Sequence, residues 1–354
     1  MQKMEEQQRS RRKDEHITLA YGQYDDHSTA FQDIRFAPQS LPNFHKEDVS
    51  LQTHFAEQQF DAPFYINAMT GGSARTKQLN QQLAIIARET GLAMAVGSQS
   101  AALHDADLIS TYSIVRTENP DGPIFANLSA DSSVDNARRA VDMLGANALQ
   151  LHINVAQELV MKEGDRDFSN WLQAIEKIVA IQEFPVIVKE VGFGMSREVM
   201  EQLQDTGVKT IDIGGKGGTN FAKIESDRRR DEAYQFLEDW GFTTAESLLD
   251  CQNSSVEILA SGGIKTPLDI VKSLALGAKS VGVAGAVLHQ LKKTDVEQTS
   301  QMLLDWKSEL RSVMTLLGAK SVPELTQKSL LIQGKLHQFA TLRHVNIDYL
   351  ANRT

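Results

Sequence analysis

The chain of 354 residues has a single cysteine, Cys251. No disulfide can form within it, which excludes a stapled secreted scaffold and fits a reducing, cytoplasmic setting. Long apolar runs are missing as well. Stretches such as Val281–Leu288 are far shorter than the roughly 20 residues a bilayer-spanning helix needs. The first segment of the chain is polar and charged, without the apolar stretch of a secretory signal. Basic charge is in deficit too: 36 Lys and Arg stand against 46 Asp and Glu, a net charge of −10. A broad nucleic-acid surface is therefore not expected. Any anionic ligand must be gripped by a local cluster of donors, because the overall field repels it. What remains, 41% hydrophobic and 23% charged residues, describes an ordinary globular protein long enough for one large α/β unit or two smaller ones.

The pattern favours one large unit. Eight short apolar segments recur along the chain: Pro63–Met69, Leu92–Gly97, Pro123–Ser129, Ala148–Asn154, Pro185–Val191, Thr210–Gly215, Val256–Gly263 and Ser280–Gly285. Helical periodicity follows most of them, at Ala74–Glu89, Leu108–Arg116, Ser133–Leu144, Asn170–Ile181, Ser196–Gln204 and Pro267–Leu276. This alternation predicts a TIM (β/α)8 barrel; a doubly wound open sheet seldom uses eight such regular units. Residues 1–60 read as an irregular N-terminal extension with helical patches, and residues 61–354 as the barrel with a C-terminal helical tail that includes Val296–Leu317. The long segment Lys216–Cys251 exceeds one helix and reads as a lid or binding loop.

The fourth segment is the most informative. In Leu149–Glu158, Leu149, Leu151 and Ile153 alternate with Gln150, His152 and Asn154, the period of a strand. In a strand covered on both faces, the polar set needs partners: each other, a polar ligand or a cofactor. Gln157 and Glu158 fall just past the strand's C-terminal end, where parallel α/β folds carry their chemistry. A satisfied core histidine beside a solvated glutamate is the plainer alternative. The other strand ends are glycine-rich: Ala-Met-Thr-Gly-Gly from Ala68, Gly-Gly-Lys-Gly-Gly-Thr from Gly214, Ser-Gly-Gly from Ser261 and Ala-Gly-Ala from Ala284. The last two have the placing of a barrel phosphate cradle, in which glycine admits the backbone N–H groups and a helix start adds its dipole. Lys189, in an otherwise apolar strand, needs an anionic or electron-rich partner; a Schiff base and the edge of a flavin both suit it. The run Arg9–His16 is a basic knot in an acidic chain, either a solvated tail or an anion clamp.

Together these motifs resemble the flavin-dependent, type 2 isopentenyl-diphosphate isomerases. The resemblance rests on R-K-x-x-H (Arg12, Lys13, His16), N-A-M-T-G-G (Asn67–Gly72), G-S-Q (Gly97–Gln99) and H-I-N-x-x-Q-E (His152–Glu158). It continues through G-D-R-x-F (Gly164–Phe168), V-K-E-V-G-F-G (Val188–Gly194), G-G-T-N-F (Gly217–Phe221), S-G-G-I (Ser261–Ile264) and A-G-A (Ala284–Ala286). It implies FMN held by Ala68, Met69, Thr70, Ser98, Asn127, Lys189, Gly214, Thr219, Gly262, Gly263, Ala284 and Gly285. It implies a diphosphate substrate bound by Arg12, Lys13, His16, Ser98, Gln99, His152, Asn154 and Gln157, with Mg2+ on Glu158. The activity implied is interconversion of isopentenyl and dimethylallyl diphosphate without net oxidation, on FMN reduced by NAD(P)H. The acid–base candidates are a reduced-flavin nitrogen and the side chains Gln157, His152 and Glu225. A homo-oligomer, tetramer or octamer, with no nucleic-acid or membrane partner, is implied too. One departure stands out: Ser100 follows Gln99 where many relatives carry a basic residue.

Rival readings meet missing residues. A flavin-dependent 2-hydroxy-acid oxidase needs a His base and an Arg after the sixth strand, and Gly214–Asn220 has neither. An IMP dehydrogenase-like enzyme needs a nucleophilic Cys in a strand-end loop, whereas Cys251 falls on a helix. A non-catalytic sensor has no use for the intact Gln-Glu pair.

Overall fold

Apolar segments too short to stand alone, each followed by a helix with its own start signal, leave few arrangements open. In the computed structural model, which describes residues 13–23, 29–229, 233–252 and 254–353, they close into a barrel. Its parallel strands are β1 (Phe64–Ile66), β2 (Met94–Ala95), β3 (Ile124–Ser129), β4 (Ala148–Ile153), β5 (Val186–Glu190), β6 (Thr210–Asp212), β7 (Glu257–Ser261) and β8 (Ser280–Val283). Neighbours in sequence are neighbours in space, and β8 returns to β1 through Val281 opposite Phe64 and Val283 opposite Ile66. The helices begin where their caps dictate. Ser73 accepts from the Thr76 N–H, Ser133 from that of Asn136, Thr243 from that of Glu246 and Thr266 from that of Asp269.

The strands are shorter than the apolar runs that announced them, β2 most of all. Its ladder gives way because Gly97 crosses close to the first strand's exit, where a Cβ would stand 2.6 Å from Thr70 backbone atoms. The hydrogen bonding continues without strand geometry: Val96 N–H donates to Phe125 O, Gly97 N–H to Thr70 O and Gln99 N–H to Asn127 O.

The N-terminal segment is less irregular than its sequence suggests. Thr53–Phe55 and Gln58–Phe60 form an antiparallel hairpin. Its turn residues Ala56 and Glu57 take left-handed φ values of 46° and 60°, the conformation that Asn-Gly usually signals. Glu257 holds this turn by accepting from the Ala56 N–H at 2.9 Å. The hairpin inserts Phe55 and Phe60, stacked at 4.2 Å, against Phe125 and Tyr65 inside the barrel. Ala93, Ala95, Ala148, Ile187 and Leu259 complete this plug, which closes the N-terminal end. Ile34–Phe36 pairs antiparallel with Leu330–Ile332 of the C-terminal tail. The long helix Val296–Leu316 lies against Ala74–Thr90 and Pro267–Ala275 on the outer ring.

Phe55 is 1% exposed and carries much of the plug. Phe55→Ala is expected to cost about 3–5 kcal/mol of stability, the range for a large aromatic removed from a core. Chemical denaturation of the variant beside the parent checks this; a cost under 1 kcal/mol would mean that the plug is not load-sharing core.

Candidate active site

Above the aromatic plug the barrel interior turns polar. Asp212, fully buried at the end of β6, accepts from Tyr65 Oη (3.1 Å), Asn67 Nδ2 (3.2 Å), Ser261 Oγ (2.7 Å) and the Gly214 N–H (3.1 Å). Burial, with Asp212 beside it, drives the Tyr65 hydroxyl well above its ordinary pKa. Over this layer lies a cavity of ≈ 960 Å3 opening at the C-terminal strand ends.

The strand ends bring most of the sequence candidates to this cavity. Ala68, Met69 and Thr70 line it after β1, Ser98 after β2, Asn127 on β3, His152 on β4 and Lys189 on β5. Gly214 and Thr219 follow β6, Gly262 and Gly263 follow β7, and Ala284 and Gly285 follow β8. Asn154, Gln157 and Glu158 come from the turn after β4 and from helix Val155–Val160. The helical residues 13–22 lie across the mouth and bring in Lys13 and His16. Arg12 lies outside the described residues.

Two candidates fall elsewhere. Gln99 does not line the cavity. Its neighbours Ser98 and Ser100 do, joined Oγ to Oγ at 3.1 Å, while Gln99 stands at the N-cap of helix Ser100–His104. Its Nε2 donates to Ala140 O at 3.0 Å and its Oε1 accepts from the Asn127 N–H at 2.9 Å, so its work is to tie helix Val134–Leu144 to β3. Glu225, on helix Phe221–Arg229, is 1% exposed and sits behind the wall. It accepts from His16 Nε2 at 2.7 Å, from Gln157 Nε2 at 3.3 Å and from Arg228. Arg228 in turn pairs with Glu15 at 3.1 Å and Glu163 at 3.0 Å. That hub was not read from the sequence; its only trace there is the run of arginines that follows Glu225.

Burial sets the electrostatics. Desolvation, reinforced by the charges of Lys189 and Lys13, lowers the His152 pKa to about 3. Its Nδ1 lies 2.9 Å from Asn127 Oδ1. Burial also holds His16 below its ordinary value, although Glu225 acts the other way. Burial alone would raise Glu225, but His16 and Arg228 hold its carboxyl below the usual range. Glu190 behaves oppositely: burial raises it to about 8, against the backbone N–H groups of Phe193, Val191 and Gly194 and the charge of Lys189. Lys189 Nζ donates to the Glu190 carbonyl at 2.8 Å.

The donor set fits a flavin mononucleotide. Helix Gly285–Lys293 begins without a side-chain cap, so its first-turn N–H groups are left for an anion. Gly262 and Gly263 line the same cavity with φ values of 104° and 68°, and a Cβ on Gly262 would stand 1.9 Å from Gly215 O; only glycine lets the loops after β6 and β7 pack this closely. Thr70 Oγ1 and Asn154 Oδ1 are buried on the cavity wall without a hydrogen-bond partner among the described residues, as expected of groups that wait for a ligand. No group of three or more His, Cys, Asp or Glu with metal-site geometry occurs among the described residues. Glu158 is one of the carboxylates on the cavity wall: Asn154 Nδ2 donates to its Oε1 and the Asp165 N–H to its Oε2, both at 2.9 Å.

The His152 shift carries a sign. Its folded pKa of about 3 lies below the ordinary 6.5, so between these values the unfolded chain binds more protons. Its contribution to stability is complete above pH 6.5 and declines as pH falls toward 3. His152→Gln is expected to flatten this part of the pH–stability curve, and the imidazole of the parent should show no NMR titration between pH 5 and 8. A ring that titrates near 6.5 would refute the desolvated placement.

Comparison with known proteins agrees with the site. A family model for FMN-dependent dehydrogenases matches residues 116–332. Solved structures of mandelate oxidase (TM-score 0.61, 18% identity, covering 90% of this chain and 91% of that one) and flavocytochrome b2 (0.62, 19%, 86% and 77%) share the fold. At such identities they speak for fold alone. Much nearer in sequence are the isopentenyl-diphosphate delta-isomerases of Listeria monocytogenes, 51% identical over all of both chains, and Latilactobacillus sakei, 50% identical over 96% of this chain and 97% of that one. The Streptomyces sp. enzyme of the same name is 45% identical over 98% and 96%. With full-length likeness at this level on an FMN-dependent barrel, the chain belongs to the isopentenyl-diphosphate delta-isomerase family, in its type 2, FMN-dependent form.

Proposed function

We propose that this chain interconverts isopentenyl and dimethylallyl diphosphate with reduced FMN and Mg2+, NAD(P)H serving as the reductant of the flavin. The observation that carries the reading is the convergence of two walls on one cavity. A glycine cradle and an uncapped helix start form one, and Lys13, His16, Asn154, Gln157 and Glu158 form the other. The cradle suits the single phosphate of FMN, and Asn127, Lys189 and Thr70 would hold the rest of the cofactor. When bound and reduced, FMN supplies an electron-rich face and exchangeable ring protons with no net oxidation.

The chain's own groups have separate tasks. Lys13, with Arg12 of the same motif, offsets diphosphate charge, and Glu158 offers one hard oxygen ligand to Mg2+, which keeps most of its waters and takes phosphate oxygens besides. Shifting the double bond requires a proton delivered to one carbon and removed from another, with positive charge developing between them. Gln157 is fixed for this neighbourhood: its Oε1 accepts from Asn154 at 3.2 Å and its Nε2 donates to Glu225 at 3.3 Å, so its amide cannot rotate freely. Glu225 acts through His16 and Gln157 as a positioning group. The family resemblance supports a cytoplasmic homo-oligomer, tetramer or octamer; exposed Leu342 and Tyr349 on the C-terminal tail are candidate contact residues. Among the described residues no helix is long and apolar enough to cross a membrane.

The decisive experiment is a proton NMR assay of FMN-loaded protein with isopentenyl diphosphate and Mg2+. Turnover is expected under dithionite or NAD(P)H reduction and not with oxidised flavin; absence of dimethylallyl product under reduction would overturn the proposal. Lys13→Ala is expected to raise the Michaelis constant by about 10- to 100-fold with turnover less affected, since a charge-assisted contact contributes about 1.5–3 kcal/mol. Glu158→Gln should demand far more Mg2+, whereas Gln157→Ala should lose turnover while flavin content and metal requirement stay near those of the parent. Identical metal titrations for these two variants would refute the division of roles.

A further inference from the structure

A chain of hydrogen bonds runs from the cavity wall into the barrel floor, and every bond in it points the same way. His152 Nδ1 lies 2.9 Å from Asn127 Oδ1, Asn127 Nδ2 lies 3.1 Å from Gln150 Oε1, Gln150 Nε2 lies 3.4 Å from Asn67 Oδ1, and Asn67 Nδ2 lies 3.2 Å from Asp212 Oδ2. Asn67, Asn127, Gln150 and Asp212 are all buried. The direction is fixed at the far end. The Ala68 backbone N–H donates to Asn67 Oδ1 at 2.8 Å, and a backbone N–H cannot be reversed. Asp212 spends one oxygen on the Gly214 N–H and Ser261 and turns the other to Asn67 and Tyr65. Asn67 must therefore present its amide nitrogen to Asp212 and its oxygen to Gln150. Gln150 must then turn its oxygen to Asn127, and Asn127 its oxygen to His152.

We infer that Asp212 and Asn67, acting through Gln150 and Asn127, set the proton of the neutral His152 on Nδ1, so that the ring nitrogen left for the cavity, Nε2, is an acceptor. An acceptor there cannot face a bare phosphoryl oxygen; it takes a proton from a protonated phosphoryl group, from a metal-bound or free water, or from a flavin or substrate N–H or O–H. This deepens the isomerase reading, because it states which kind of ligand atom can meet His152, and in that respect it rests on that reading. The relay itself stands on the protein's own geometry. Asp212, Asn67 and Gln150 are positioning residues: they line up the histidine without touching the reacting atoms.

The test reads the tautomer directly. In FMN-loaded protein labelled with 15N-histidine, the two His152 ring nitrogens are assigned by their loss in His152→Gln, and their shifts distinguish a protonated from a bare nitrogen. The parent is expected to show a protonated Nδ1 and a bare Nε2. Gln150→Leu cuts the relay between its anchor and Asn127, and is expected to bring in a population protonated on Nε2. Gln150→Glu, protonated in this fully buried layer, still donates to Asn67 Oδ1 and turns an acceptor toward Asn127, and is expected to restore the Nδ1–H form. Turnover should fall on the order of 10-fold in Gln150→Leu, as for the loss of other groups that orient a functional imidazole, and recover in Gln150→Glu. A parent ring protonated on Nε2 would overturn the inference whatever the variants do, and so would an unchanged Nδ1–H form in folded Gln150→Leu. If Gln150→Leu does not fold, Asn67→Ala, which removes the anchor instead, is read in the same way. The tautomer is measured without substrate, so an Nδ1–H ring in a protein without isomerase activity would sink the proposed function alone.

Discussion

A dry floor beneath a polar layer is the constraint on which this structure depends. Phe55, Phe60, Phe125 and Tyr65 stopper the N-terminal end of the barrel, and Asn67, Gln150 and Asp212 above them are buried. Buried polar groups in that position must satisfy one another, because each group left unpaired costs about 1–3 kcal/mol. They do so in a single network that ends on Asp212. The same dryness acts on the groups one layer higher. It favours the neutral form of His152 and of Glu190, so that Lys189 stands as the one basic side chain contributed by the barrel strands to this cavity wall. A low-dielectric pocket with fixed dipoles is the environment in which charge developing on a ligand is stabilised without reorganisation.

The second wall is assembled from sequence-distant parts. Helical residues 13–22 are held over the mouth by His16 on Glu225, Glu15 on Arg228, Asp14 on Ser73 and Gln23 on Asn220. An exposed ion pair contributes little, about 0–1 kcal/mol. This cluster differs because Glu225 is 1% and Arg228 14% exposed, and removing one partner would leave a buried charge unpaired. Lys13 therefore reaches the cavity by way of an electrostatic clamp on helix Phe221–Arg229, not by a strand end. The wall that carries Lys13 and the helix across the mouth are in this sense one unit.

Sequence periodicity made the barrel legible because its strands are buried on both faces and its helices carry explicit caps. Every apolar run from Pro63 to Gly285 holds a strand, and Ala74–Thr90 and Val134–Leu144 begin within a residue of their predicted starts. Glycine-rich strand ends and an alternating His-Asn pattern were equally readable, since each answers to a local rule. What escaped was set by contacts across the chain. The hairpin Thr53–Phe60 hid because its left-handed turn is Ala-Glu and not Asn-Gly. Gln99 read as a ligand because it sits in a motif, yet its amide is spent on Ala140 and Asn127 while Ser98 and Ser100 line the cavity. Glu225 read as facing the reaction, whereas it stands one layer behind it. Asp212 is a single polar residue in a short strand, and its importance lies in four donors: Tyr65 and Asn67 from β1 and its exit, Ser261 from β7, and Gly214 from its own exit loop.

The scaffold itself does not choose the chemistry. The rival oxidase reading expects a His base and an Arg after the sixth strand, and in this chain Gly214–Asn220 is instead glycine-rich, with Lys216 turned away to Asp239 at 2.8 Å. The backbone there serves packing: Gly218 and Gly263 approach so closely that a Cβ on Gly218 would stand 2.8 Å from the Gly263 nitrogen. The opposite wall offers His152 with its only proton directed into the protein, Gln157 clamped at both ends, and His16 bound to Glu225. None of these is a strong acid or base in the form the structure holds. They are suited to hold, orient and screen a ligand between the two walls.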